Sequence, residues 1–196
     1  MTSRRAAVKR TTSETDIELE LCLEGSGDST VQTGIGFFDH MLTAFSRHGL
    51  FDLTLTCKGD LEVDQHHTVE DVGICLGQAL NEALGDKRGI IRFGHSYVPM
   101  DDALARVAVD LSGRPYLVLT PEPQAGMVGD FPAALVQEFF RAVTDHGRLN
   151  LHVDLLRGSI DHHGIEAMFK ALGRALDEAT AKTDRISGVP STKGQL

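Results

Sequence analysis

The sequence predicts an α+β fold built as a tandem duplication, in which each of two similar halves is a small sheet covered by helices. Three observations predict it. First, His66-His67-Thr68-Val69-Glu70 returns 96 residues later as His162-His163-Gly164-Ile165-Glu166. Second, the match continues downstream: Leu76-Gly77 pairs with Leu172-Gly173, Ala79-Leu80 with Ala175-Leu176, and Glu82-Ala83 with Glu178-Ala179. Third, strand-like period-2 segments and helix-like stripes follow one another in the same order in both halves. So many period-2 segments exclude a four-helix carboxylate bundle, whose metal sites also use Glu and His at helical spacing. An α+β sandwich fits, with halves at residues 1–93 and 94–196.

Taken in order, the first several residues read as a loose arm. Ile17, Leu19, Leu21 and Leu23 alternate mainly with acidic residues as a half-buried strand, which Gly25-Ser26-Gly27 breaks. Residues 38–48 read as a helix closed by Gly49. Phe51, Leu53, Leu55 and Cys57 alternate with Asp52, Thr54 and Thr56 as a second strand. The helix after His66-His67 carries Val69, Val72, Leu76, Leu80 and Ala83 on one stripe and ends at Gly85.

The second half repeats the order. Residues 103–111 are strand-like, Ser112-Gly113 turns, and residues 116–119 form another short strand. Asp130 is placed to cap a helix with Pro132 near its first turn, and Gly147 to end it. Leu149, Leu151, Val153 and Leu155 alternate as the next strand. The last helix carries Ile165, Met168, Leu172, Leu176 and Ala179 at the offsets seen in its counterpart. His48-Gly49 and His146-Gly147 fall at equivalent helix ends.

A chain of 196 residues at 41% hydrophobic can bury a proper core. With 19 basic and 28 acidic residues its net charge is −9, which disfavours a nucleic-acid or anionic-membrane partner. Cys22, Cys57 and Cys75 are scattered, without paired zinc spacing, and read as reduced core thiols of a cytoplasmic protein. No apolar run reaches the length of a membrane span, and Arg4-Arg5 is not followed by a secretion-type apolar stretch.

The paired His-His-x-x-Glu motifs read as two halves of a binuclear metal centre. On a helix, a histidine and a glutamate four residues later share a face and can grip one ion. The second histidine points about 100° away and serves a different ion. The repeat also sets His40 opposite Glu138, each on the shorter helix of its half. One ion then takes His162, Glu166, His67 and His40, and the other His66, Glu70, His163 and Glu138. Mixed imidazole and carboxylate ligation suits Mn, Fe, Zn or Co. The glycine motifs around Gly34, Gly36 and Gly194 lack the context of a dinucleotide or ATP phosphate loop.

Several segments in order resemble the imidazoleglycerol-phosphate dehydratase family of histidine biosynthesis. They are Gly36-Phe37-Phe38-Asp39-His40-Met41-Leu42, His66-His67-Thr68-Val69-Glu70-Asp71, Asp110-Leu111-Ser112-Gly113-Arg114-Pro115, Asp161-His162-His163 and Pro190-Ser191-Thr192-Lys193-Gly194. The resemblance covers residues 12–196. It implies halves with mostly antiparallel four-stranded sheets of the ribosomal protein S5 domain 2 type. It also implies dehydration of imidazole glycerol phosphate, a dimanganese centre, and a 24-subunit shell of trimers with ligands gathered from neighbouring subunits. Glu138 departs from the pattern, because the family places a histidine there; a carboxylate can still coordinate manganese or hydrogen-bond a ligand.

The resemblance assigns an acid/base role to Glu14, with His48 as a second candidate and Glu70 and Glu166 as further catalytic groups. It implies substrate contacts from Glu14, His40, His48, His66, Glu70 and His162. Arg92, Arg114, Lys170, Ser191, Thr192 and Lys193 match substrate-contacting positions suited to phosphate. The chemistry expected is metal stabilisation of an imidazolate, with hydroxyl loss through a diazafulvene-like intermediate. Two rivals use the same ligands: a non-catalytic metal-assembled shell, and a dimetal phosphate-ester hydrolase.

Overall fold

The computed structural model describes residues 4–122, 126–194 and 196. In the first half the order is β1 (Arg5–Thr11), β2 (Thr15–Cys22), β3 (Ser29–Gln32), α1 (Gly36–Gly49), β4 (Asp52–Gly59) and α2 (His66–Leu84). The second half runs β5 (Phe93–Met100), β6 (Ala103–Asp110), β7 (Tyr116–Thr120), β8 (Met127–Val128), β9 (Phe131–Pro132), α3 (Leu135–Gly147), β10 (Asn150–Arg157) and α4 (His162–Thr180). The sheets have orders β1-β2-β4-β3 and β5-β6-β10-β7. In each, only the last pair is parallel. The duplication is therefore visible in topology as well as in sequence, with the small β8–β9 hairpin as an addition to the second half.

Alternation explains the clear strands. Ile17, Leu19 and Leu21 of β2 are buried, while Asp16, Glu18 and Glu20 face out. Leu19 stands between Val8 and Leu55 across the sheet. Three strands lack that signature. β1, expected as a loose arm, is an edge strand whose outward charges pair across to β2, as in Lys9–Glu18 at 2.6 Å. Met1–Ser3 lie outside the described residues. β3 is short, and no residue in it is fully buried. β5 buries Gly94, Ser96 and Val98; a methyl at Gly94 would collide with the Ala175 carbonyl, so small residues replace the usual apolar alternation.

The helices form the layer between the sheets. α2 packs on β1 and β2 and against α3, while α4 packs on β5, β6 and β10 and against α1. Each short helix thus lies on the long helix of the other half. Gly77 and its repeat partner Gly173 permit this. A methyl at Gly77 would strike Gly147 and the Val143 carbonyl, and one at Gly173 would strike the Phe45 carbonyl. The left-handed residues that end α1 and α3 are consequently Leu50 (φ 55) and Arg148 (φ 52), not the glycines before them. Gly49 and Gly147 are used for close helix contact instead. Gly85 (φ 57) does end α2.

Asp130 does not cap α3. The chain first forms the β8–β9 hairpin, buries Phe131, and starts the helix at Leu135 after Ala134. Phe131 lies 5.2 Å from Phe37 and 6.1 Å from Phe38 between ring centroids. Phe38, Phe139 and Phe169 continue the stack at 5.4 and 5.0 Å, joining α1, α3 and α4. Such pairs contribute about 0.5–1.5 kcal/mol beyond their area burial, and here they bind the two halves into one core. Cys22 and Cys75 are buried free thiols and Cys57 is partly buried. Burial pushes Cys57 up to about 11 and Cys75 to about 12, so both stay protonated and inert at neutral pH. Among the described residues, no helix is long and apolar enough to cross a membrane.

Candidate metal centre

Two helix starts build the centre. Asp161 caps α4 by accepting a hydrogen bond from Gly164 N at 3.2 Å, which makes His162 the first helical residue. In α1, Asp39 accepts from Thr33 N at 2.9 Å and fixes the first turn that carries His40. The crossing of α1 over α4 then brings His40 to His162, with ring centroids 5.7 Å apart. Glu166 Oε2 lies 3.1 Å from His162 Nε2 and 3.2 Å from His40 Nε2. The edge of the His162 ring is braced by Phe37 at 5.2 Å.

Glu166 is only 6% exposed. Its other oxygen, Oε1, accepts from Lys170 Nζ at 2.7 Å. Burial opposes ionisation, but the hydrogen bond and charge of Lys170, with His40, hold the carboxyl below its ordinary range. A carboxylate and two imidazoles therefore converge with ligand atoms within 4.8 Å of one another, and both rings are half exposed. Among the described residues this is the one such group of three. Its donor set suits Mn, Fe, Zn or Co.

In the first half, His66 Nε2 and Glu70 Oε2 stand 3.6 Å apart, and both side chains are more than 40% exposed. Asp64 accepts from His66 N at 2.7 Å and sets the start of α2. Glu138 sits in the first turn of α3, partly buried, without a hydrogen bond or ion pair to a described residue. The second histidines point away from both first histidines: the rings of His66 and His67 cross at 88°, and those of His162 and His163 at 84°. Within one chain His67 and His163 therefore do not join the groups around Glu166 and Glu70.

Those rings meet other carboxylates. His67 Nδ1 lies 3.0 and 3.2 Å from the two oxygens of Asp60, and its Nε2 is 3.7 Å from Glu14. His163 Nδ1 lies 3.1 Å from Asp102, and its Nε2 is 3.7 Å from Asp101. The hydrogen bonds to Asp60 and Asp102 raise the affinity of both rings for a proton. Asp60, Asp101 and Asp102 are absent from the sequence reading. They carry no offset-96 repeat, so the signal that exposed the histidines does not reach them.

His48 occupies the last turn of α1 and lines an open cavity of about 500 Å³ with Arg47 and Arg174. Partial burial and then the charges of Lys170 and Arg174 lower its affinity for a proton. Arg92 forms a two-point pair with Asp110 at 2.7 and 3.1 Å, and its Nη1 donates to Pro190 O at 2.8 Å. It thereby anchors the root of the Ser191-Thr192-Lys193 segment, in which Ser191 Oγ accepts from Lys193 N at 3.1 Å. Arg114 is exposed in the loop after β6.

Arg92 and the segment it anchors stand far from the metal-binding group. Arg92 N donates to Ala179 O, at the C-terminal end of α4, whereas His162 begins that helix. At 1.5 Å per residue, those ends are roughly 26 Å apart.

The profile of the family described as imidazoleglycerol-phosphate dehydratase matches residues 33–176. The imidazoleglycerol-phosphate dehydratase of Acetivibrio thermocellus is 60% identical over 193 residues, covering 98% of this chain and 99% of that protein. That of Caldanaerobacter subterraneus subsp. tengcongensis is 58% identical, covering 98% of this chain and all of its own. Among solved structures, the Staphylococcus aureus enzyme superposes with a TM-score of 0.82 at 43% identity, covering 91% of this chain and 99% of that one. The Pyrococcus furiosus enzyme, solved in complex with (S)-C348, gives 0.83 at 39% identity, covering 96% and 100%. The chain belongs to the imidazoleglycerol-phosphate dehydratase family, which are hydro-lyases.

Proposed function

We propose that this chain removes water from D-erythro-imidazole glycerol phosphate to give imidazole acetol phosphate in histidine biosynthesis, in the cytoplasm, with a pair of manganese ions. The observation that carries the reading is the separation along α4. The group around Glu166 and the basic set at Arg92 each fit one end of an imidazole-bearing phosphate ester. They lie about 26 Å apart by helix rise, much farther than an imidazole ring with a three-carbon phosphate arm can reach. A working site therefore joins one end from one copy to the other end from a neighbour, as the 24-subunit shell of trimers would arrange.

In that site His40, His162 and Glu166 hold one ion with the second histidine of a neighbouring copy, and His66, Glu70 and Glu138 take part in holding the other. Manganese supplies the positive charge that lets an imidazole ring lose a proton near neutral pH. Glu14, exposed at the β1–β2 turn beside His67, takes the carbon-bound proton or returns one to the departing hydroxyl. Lys170 neutralises the buried Glu166 and orients it toward the rings. His48 faces the same side as Lys170 and meets the polar arm. Arg114, Ser191, Thr192 and Lys193 supply phosphate contacts from a neighbouring copy, and Arg92 holds their segment in place.

Turnover of imidazole glycerol phosphate before chelation, after it, and after manganese return tests the reading. Imidazole acetol phosphate formed without free phosphate, and only with metal, is the expected result. Release of free phosphate would instead identify a hydrolase. No turnover with metal still bound would leave only a structural shell. Chelation is also expected to reduce the particle to small oligomers in light scattering, because ligands shared between copies couple assembly to metal.

A further inference from the structure

The contacts of His67 and His163 are alike although they come from different loops. In both rings Nδ1 faces an aspartate at hydrogen-bond distance, Asp60 at 3.0 Å and Asp102 at 3.1 Å. An ionised carboxylate only accepts, so in the neutral ring the proton sits on Nδ1 and Nε2 keeps its lone pair. On the Nε2 side each ring faces a second carboxylate at 3.7 Å, Glu14 or Asp101, beyond direct hydrogen-bond range.

By strand register the repeat partner of Asp102 is Glu14, each immediately preceding the second strand of its half, and Glu14 faces the Nε2 side of His67 rather than its Nδ1. Asp60 and Asp102 do not correspond. Asp60 follows β4, whose counterpart β10 is followed by Gly158, whereas Asp102 lies in the β5–β6 turn. The duplication cannot have copied the Nδ1 contact from one half to the other. Two loops reach the same nitrogen by separate routes, which points to a requirement on the rings themselves.

We infer that Asp60 and Asp102 are positioning residues that lock His67 and His163 in the tautomer presenting Nε2 as the metal-ligating atom. The inference rests on the proposed role of both histidines as ligands. Each aspartate fixes the ring's direction and adds negative charge that strengthens the nitrogen as a donor. Removing either one weakens one class of ion and spares the other, since the two rings serve different centres.

Manganese titration of the purified full-length assembly tests this with Asp60→Asn, Asp102→Asn, Asp60→Glu and His67→Ala. Asp60→Asn should weaken one class of manganese site by roughly 10- to 100-fold, and Asp102→Asn the other class. Asp60→Glu should recover part of the loss. The melting temperature of metal-free protein should stay near that of the parent. Full affinity in both asparagine variants, with His67→Ala losing a class of site, would overturn the positioning role alone. Unchanged binding in His67→Ala as well would remove the ligand reading and this inference with it. An affinity loss matched by a lower metal-free melting temperature, without rescue by glutamate, would show a packing role instead.

Discussion

Around Glu166 the second half gathers an imidazole from each half and a lysine, while around Glu70, among the described residues, the first half offers His66 alone. The two glutamates are repeat partners, yet Glu166 is 6% exposed and Glu70's side chain is 45% exposed. Three substitutions separate the centres. His40 faces Glu166, where the corresponding short helix carries Glu138; Lys170 supports Glu166, where the first half has Ile74. The third is Phe37, which braces His162 and has Leu135 as its counterpart. The centre around Glu166 is held in shape by the protein's own charges. The other sets the exposed Glu70 3.6 Å from His66 without a supporting lysine. Duplication thus supplied one plan, and substitutions left the group around Glu166 preformed and the one around Glu70 looser.

Removing the lysine should show this most strongly. Lys170→Met leaves Glu166 as a buried carboxylate without its cation, and breaking such a pair costs about 3–5 kcal/mol. The loss should appear in chemical denaturation of metal-free protein and shrink once manganese is bound, because the ion replaces the lost charge. Equal losses with and without manganese would mean that the carboxylate faces the lysine alone. Next comes Gly173→Ala, which forces α1 off α4 and moves His40 from Glu166; overpacking of this kind costs about 1–3 kcal/mol. Its partner Gly77→Ala should destabilise by a similar amount while affecting the other class of manganese site. The smallest effect belongs to Glu138→Gln, expected to weaken one class of manganese site roughly tenfold and leave the class around Glu166 untouched. Equal weakening of both classes would remove the distinction between the centres.

The duplicated architecture was legible because the alternation of β2, β4, β6 and β10 and the stripes of α2 and α4 are set by burial of one face. β1, β3 and β5 escaped for stated physical reasons: an edge strand needs few apolar residues, and β5 is buried under a helix that tolerates only small ones. The helices end at Gly49 and Gly147 as the sequence suggests, but those glycines serve contact between helices, and the left-handed turn falls to Leu50 and Arg148. In the site, the repeat exposed every His and Glu of the motifs and the pairing of His40 with His162 and Glu166. It could not expose Asp60 and Asp102, whose loops do not correspond. Nor could it show that Arg92 is tied to Asp110, 18 residues on, and to Pro190, 98 residues on.

The crossing of the short helices has a consequence for how such a chain could have arisen. A gene for one half would encode a long helix with a glycine notch, at Gly77 or Gly173, shaped for a helix that the same half directs elsewhere. Two copies would have to find each other before either was finished, and their yield would fall with dilution. Joining them end to end turns that encounter into an intramolecular step. Completeness then no longer depends on how much of the protein a cell makes.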